Sequence, residues 1–251
     1  MSSPNHAPTS GFMRLRQEGR TEEVVRRMIE VIDLGLFAEG EQLPSESELA
    51  LQFGVATVTL REALAVLRQR GLIATRRGRN GGSFVCAPIE VPQALLLERL
   101  ERMSTMELRD LGDEQLAISG TAARLAARRS TAEHHARLLH HVEALGVANT
   151  RQQRRRADAH FHIEIAVAAQ SVRLTNAEMR LQAEIGELLW IESGTAPDVA
   201  AIQQEHCSIL DALVAGDANL AGALAEAHVT RGVKRLINLR LELLAAEGGS
   251  D

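Results

Sequence analysis

The sequence predicts a mainly α-helical chain of two domains, an N-terminal winged helix-turn-helix followed by an all-α antiparallel helical bundle. Three observations carry this expectation. The 251 residues exceed the usual single-domain size of about 100–150, and a core split in two leaves each half able to fold. Hydrophobic residues make up 45% and charged residues 24%, with Tyr absent and Pro rare, a composition of packed helices. Strand-like runs and clustered glycines fall within residues 72–86, and the rest of the patterned chain has helical periodicity.

Residues Thr21 to Leu36 place Val24, Val25, Met28, Ile29 and Ile32 at helical spacing, and Gly35 and Gly40 bracket the end of this first helix. Pro44 cannot continue a helix, Ser45 can cap one, and Glu48, three residues on, completes a capping box. The second helix is short and ends near Phe53, where Gly54 suits a left-handed turn. A third periodic segment, Thr57 to Gln69, follows at once, with Ala63, Leu64 and Leu67 facing inward. Two short helices joined by a tight glycine turn form a helix-turn-helix.

In that motif the N-terminal residues of the later helix lie against base edges, so Thr57, Thr59 and Arg61 are placed to read or clamp DNA. The alternative for Arg61 is a surface ion pair. Leu72–Thr75 and Ser83–Cys86 then read as two strands joined by Arg76–Gly82, a hairpin wing. The formal net charge is −5, yet no acidic residue occurs between Glu62 and Glu90, where Arg68, Arg70, Arg76, Arg77 and Arg79 fall. A solvated basic face would have the same composition. On a wing, however, Arg76, Arg77 and Arg79 supply contacts that release counterions from duplex DNA, and glycines such as Gly81 permit close backbone approach. Ser45 completes the candidate DNA-contacting set.

The stretch Leu43-Pro44-Ser45-Glu46, Glu48-Leu49-Ala50, Phe53-Gly54-Val55, Arg61-Glu62-Ala63-Leu64, Gly71-Leu72-Ile73 and Gly81-Gly82-Ser83-Phe84-Val85 resembles the DNA-binding domain of the GntR family over residues 20 to 87. The family usually has an Arg shortly after the Pro-Ser-Glu start and Ser-Arg after the Gly-Val turn. This chain has Ser47 and Ala56-Thr57 there, so the resemblance implies that Arg61 and the wing arginines carry more of the grip.

Ala87 to Val91 and Pro92 mark a boundary. The expected organisation is a flexible segment 1–19, the winged domain 20–87, a linker 88–92, a helical domain 93–246 and a tail 247–251. Helices are expected at 93–104, 107–128, 131–147, 151–170, 172–193, 198–215 and 217–245, with breaks at Gly146, Pro197 and Gly216. Asp158 and His162 lie four apart and share a helix face, close enough to hold one ion, and His206 and His228 stand singly on later helices. This oxygen and nitrogen set suits Zn²⁺, Ni²⁺, Mn²⁺ or Fe²⁺. On spacing alone, histidines that are partly exposed or hydrogen-bonded within a core are the commoner reading. His160 points away from His162 and is left out.

The pattern of Asp158 and His162 around a Phe-His pair, Glu205-His206 before Ser208-Ile209-Leu210, and Ala227-His228 resembles the FCD ligand-binding domain of the FadR subgroup. The resemblance implies that Asp158, His162, His206 and His228 hold a divalent metal and that the metal helps to hold a small carboxylate effector. An Arg and a Glu common in that subgroup stand here as Gln115 and Ser119, and an Asn as Ser171. The effector's acid group then needs another cation, for which Arg124 and Arg180 are the candidates unless they are ordinary surface arginines.

The expected function is that of a transcription regulator, in the first place a repressor and not an enzyme. It would act as a homodimer on a pseudo-palindromic operator in double-stranded DNA and respond to a small carboxylate. A sensor of the metal itself, a purely structural metal and a metal-dependent hydrolase are the other readings. Met1 to Gly11 lack the pattern of a secretion signal, and Cys86 and Cys207 lie far apart, so the cytoplasm is the expected compartment and no membrane is involved.

Overall fold

A computed structural model describes residues 19–79, 81–86, 91–194 and 196–248. Among them are ten helices and one two-stranded sheet: α1 (Arg20–Asp33), α2 (Glu46–Phe53), α3 (Thr57–Gln69), β1 (Ile73–Arg76), β2 (Gly82–Val85), α4 (Gln93–Arg102), α5 (Thr105–Arg129), α6 (Ala132–Val147), α7 (Arg151–Ala168), α8 (Val172–Leu189), α9 (Val199–Val214) and α10 (Ala218–Gly248). The expected flexible segment, save Gly19, most of the linker, Asn80 of the wing and the last three residues of the tail lie outside the described residues. The chain forms two compact units. One takes the residues up to Ile29 and Glu39–Ala87; the other takes Glu30–Ala38 and everything from Pro88 onward.

In the first unit, α1 buries Val24, Val25 and Met28. Ser45 caps α2 reciprocally: its side chain accepts from the Glu48 N–H, and the Glu48 carboxylate accepts from the Ser45 N–H at 2.8 Å. Gly54, at φ 64°, ends α2 with its N–H bonded back to Ala50 and Leu51. The axes of α2 and α3 are then 107° apart, within the range of about 90–120° of a helix-turn-helix. Leu60, Ala63, Leu64 and Leu67 form the buried face of α3. β1 and β2 pair antiparallel, with Ile73 opposite Val85 and Arg76 opposite Gly82. Residues 40–43 also run along β2, through Gly40 N–H to Val85 O, Val85 N–H to Glu41 O and Leu43 N–H to Ser83 O at 2.8–2.9 Å. The sequence had given those residues no strand character, because their bonds run to a partner some forty positions away.

In the second unit α5 and α10 run together, and a Cβ added at Gly112 would stand 2.8 Å from Val233 Cγ1, so a glycine permits the approach. Helix α7 packs on α5, α6 and α8, and α9 on α6 and α10. Phe161 of α7 lies in a core with Leu138, Val142, Ile209 and Leu213, while Ile185 and Leu188 of α8 join Leu100, Leu108 and Leu236 in another. Two boundaries differ from expectation. Helix α1 ends at Asp33 before Gly35, which has φ 73°. Helix α8 ends at Leu189, four residues short of the expected 193. Helix α6 ends at Val147 as expected, and at Gly146 in its last turn a Cβ would meet the Gln203 side chain at 2.2 Å, so this glycine also serves the approach of α6 to α9.

A chain of buried charges ties this unit together. Arg155, 1% exposed, bonds the Asp33 carboxylate at 2.6 Å, the Asp33 carbonyl at 2.8 Å and Glu187 at 3.1 Å. Glu187 also pairs with Arg151 at 2.6 Å, and Arg151 donates to the Val91 carbonyl at 2.6 Å. Removing one member of such a set leaves the others desolvated without their partner, which costs about 3–5 kcal/mol. Arg155→Ala is therefore expected to lower stability by about 3 kcal/mol in urea unfolding followed through Trp190, the only tryptophan.

Candidate functional site

The DNA-facing candidates lie on the first unit. Thr57 and Arg61 on α3, and Arg76, Arg77 and Arg79 on the wing, are exposed, and Thr59 is half-buried. Arg61 Nε bonds Glu46 at 2.7 Å, so the surface ion pair weighed for this residue is present in the free chain. With side chains 66% and 41% exposed, such a pair is worth little, and phosphate or guanine can displace it. The Arg76 guanidinium rests over the Phe84 ring at 4.3 Å, which holds the wing's first arginine in place. Two candidates have local duties instead. The Ser45 hydroxyl is taken up with Glu48. The Gly81 N–H bonds Gly78 O at 2.9 Å, and a Cβ there would stand 2.6 Å from Arg76 O, so Gly81 shapes the wing turn.

In the second unit α7, α9 and α10 bring Asp158, His162, His206 and His228 together, one donor atom from each lying within 4.8 Å of every other. His228 Nε2 is 3.2 Å from His162 Nε2 and 3.3 Å from His206 Nε2, and His206 Nε2 is 3.3 Å from Asp158 Oδ1. Donors held about 2.1 Å from one ion, at angles between square and tetrahedral, stand about 3.0–3.4 Å apart. With the His228 Nδ1 proton directed at Glu205, its Nε2 offers a lone pair to the centre of the cluster, and His162 and His206 offer theirs in the same tautomer. The residues therefore fit a divalent cation.

Protonation favours the same fit. Burial lowers the pKa of His162, His206 and His228, which keeps the rings neutral. Burial works to raise the Asp158 carboxyl, and the bond to His206 together with the neighbouring His162, His206 and His228 outweighs it, leaving a net lowering. Neutral imidazoles and an ionised carboxylate are the forms that ligate metals. Around them stand orienting groups. The Trp190 indole N–H donates to Asp158 Oδ2 at 3.1 Å, His206 stacks on Phe161 with centroids 3.9 Å apart, and His228 Nδ1 bonds Glu205 at 2.6 Å. A proton on Nδ1 leaves Nε2 free for the ion. Burial raises the Glu205 carboxyl, but bonds from His228 and Arg231 bring it down to about 2.

Asp158, His162 and His228 lie in the wall of a cavity of about 190 Å³. Neither effector candidate reaches it. Arg124 pairs with Glu226 at 2.6 Å, and Arg180 is exposed on α8. Arg231 and Arg235 of α10 line it instead, three and seven residues beyond His228, a helical spacing present in the sequence. Arg231 bonds Glu205 at 2.6 Å, and Arg235 donates to the carbonyls of Leu189 and Ile191. Glu205, adjacent to His206, was likewise not foreseen as a partner of His228. His160 stays out of the cluster and bonds the Leu34 carbonyl at 2.8 Å. It also meets His141 edge to face at 5.3 Å.

A helix-turn-helix with a basic wing, joined to a helical unit that holds a cavity, is the build of a DNA-binding transcription regulator. Residues 20–85 match the bacterial regulatory proteins of the gntR family and residues 111–231 match the FCD domain. RmpR of Mycobacterium gastri, described as an HTH-type transcriptional regulator, is 39% identical over 245 residues, 97% of this chain and 89% of its own. The HTH-type transcriptional repressor NanR of Cronobacter sakazakii is 27% identical over 238 residues, 87% and 86% of the two chains. Among solved structures, E. coli McbR/YncC superposes with a TM-score of 0.52 at 18% identity, covering 88% of this chain and 99% of that one. The chain belongs to the GntR family of bacterial transcription regulators and carries its FCD domain; these are regulators and not enzymes.

Two outcomes follow from this geometry. Glu205→Gln is expected to weaken nickel or zinc binding by about 10–100-fold in calorimetric titration, because His228 loses its anionic anchor. Burial, then the neighbouring His160, His140 and Arg137, lowers His141 to about 4 from an ordinary 6.5. The unfolded chain takes up this proton first, so stability present above pH 6.5 is lost as pH falls towards 4. His141→Phe is expected to flatten the melting-temperature profile across that window.

Proposed function

We propose that this chain is a metal-dependent, ligand-responsive repressor that acts as a homodimer in the cytoplasm, binds a pseudo-palindromic operator and releases it when a small carboxylate enters the helical unit. The observation that carries the reading is the meeting of three imidazole Nε2 atoms and the Asp158 carboxylate at the wall of a cavity, in a chain that also has a winged helix-turn-helix. Asp158, His162, His206 and His228 would hold the ion. Bound there, a divalent cation supplies a positive charge and open coordination positions for an acid.

The chain's own residues do the rest. Glu205 and Trp190 orient two of the ligands, and the apolar part of the cavity wall packs against the acid's hydrocarbon part. On the DNA side, Thr57, Thr59 and Arg61 would meet base edges and phosphates, and Arg76, Arg77 and Arg79 the backbone of the flanking groove. The cluster opens on a cavity instead of being sealed in the core, which favours ligand sensing over a structural brace. Coupling of the two sites is limited to the acid's differential affinity for the DNA-competent and released states, about 1–3 kcal/mol in typical cases.

The test uses full-length protein and a duplex from upstream of its own gene. Replacing Arg76, Arg77 and Arg79 by Ala, which alters both wings of the dimer, is expected to lower the slope of log affinity against log salt by about 4–5, as four to six phosphate contacts disappear. Removal of metal by a chelator, or His206→Ala, is expected to abolish the response of DNA binding to small acids. An unchanged salt slope together with an acid response that survives both treatments would refute the proposal.

A further inference from the structure

We infer that the cavity selects a small monocarboxylic acid carrying a hydroxyl group and an apolar flank, and that Gln115 is the residue that reads the hydroxyl. This deepens the metal-and-acid reading above and rests on it. Gln115 is 1% exposed, lines the cavity from α5, and its Oε1 is buried without a hydrogen-bond partner. A buried polar atom left unmatched carries its full desolvation cost, which a ligand with a suitable group removes. A hydroxyl both donates and accepts, so it satisfies the amide through either end, whereas a carboxylate cannot donate to Oε1.

The remaining walls fix the other features. Leu189, Pro197, Ala201, Ile202 and Val229 present an apolar side, which suits methyl and methylene groups better than a ring of hydroxyls. Three acidic residues, Asp158, Asp198 and Glu205, and two basic ones, Arg231 and Arg235, belong to the cavity lining. With neutral imidazoles, a divalent ion leaves one positive charge in excess, which a monoanion balances. A dianion would carry its second charge into a space where Arg231 is held by Glu205 and Arg235 by backbone carbonyls. At about 190 Å³ the cavity has the volume of about six waters, enough for a short-chain acid.

The experiment titrates nickel-loaded full-length protein with butyrate, with 2-, 3- and 4-hydroxybutyrate and with succinate. It is followed by Trp190 emission, since the indole bonds Asp158 and lines the cavity, and by calorimetry. One hydroxybutyrate isomer is expected to bind at least about tenfold tighter than butyrate, because a site with a buried hydroxyl partner discriminates against the analogue that lacks it. Succinate is expected to bind more weakly than that isomer. Gln115→Leu, of similar volume, is expected to bring the hydroxybutyrate-to-butyrate ratio to about one while nickel affinity holds. Equal affinities for all the monoacids in the wild type, tighter binding of succinate, or a ratio that persists in Gln115→Leu would overturn the inference. The wild-type comparison decides on its own if the variant does not fold. Nickel binding without hydroxyl preference sinks this inference alone, whereas failure to bind nickel sinks the proposed function and this inference with it.

Discussion

The interaction on which the helical unit depends is the pairing of charge with counter-charge along α7, in surroundings from which water is excluded. Arg151, Arg155, Asp158 and His162 follow at helical spacing, and all four are buried. An ionised group in such a place is costly unless its partners are fixed before it arrives. Helix α8 supplies them at matching height: Glu187 for the two arginines and, three residues on, Trp190 for the aspartate. The packing of α7 on α8 therefore sets the rotation of α7, and that rotation points Asp158 and His162 at the helices carrying His206 and His228. Aliphatic packing alone would tolerate small turns of α7; the salt bridges and the indole bond do not.

What could be read from the sequence was what depends on near neighbours. The capping box at Ser45 and Glu48 and the turn at Gly54 involve residues three to five positions apart, so the α2–turn–α3 unit was legible together with its inward face. The strand-like segment 40–43 was not, because its partners are on β2.

The candidate site divides along the same line. Asp158 and His162 announce themselves by spacing, whereas His206 and His228 were tied to them only by resemblance to a family, since nothing local links three helices. The arginines were misjudged for that reason. Arg124 is near the middle of the bundle in sequence but finds Glu226 of α10, while Arg231 and Arg235 face the cavity because the face of α10 that presents His228 continues for two more turns. Gln115 was noted as a departure from a familiar pattern, and its place in the wall gives that departure a chemical meaning.

The end of α1 has one more consequence. The helix starts in the unit that carries the wing and finishes in the unit that carries the Asp158–histidine cluster, where Leu34 packs with Ala159 and Ile163, and Asp33 meets Arg155. The two units are thus interleaved along the chain and not strung in sequence. A fragment beginning after the linker would lack Leu34 and Asp33, and a chimera made by one crossover at the linker would bring a foreign helix end to Arg155. Exchange of sensors between such regulators requires two junctions, or co-inheritance of the last turn of α1 with the bundle it completes.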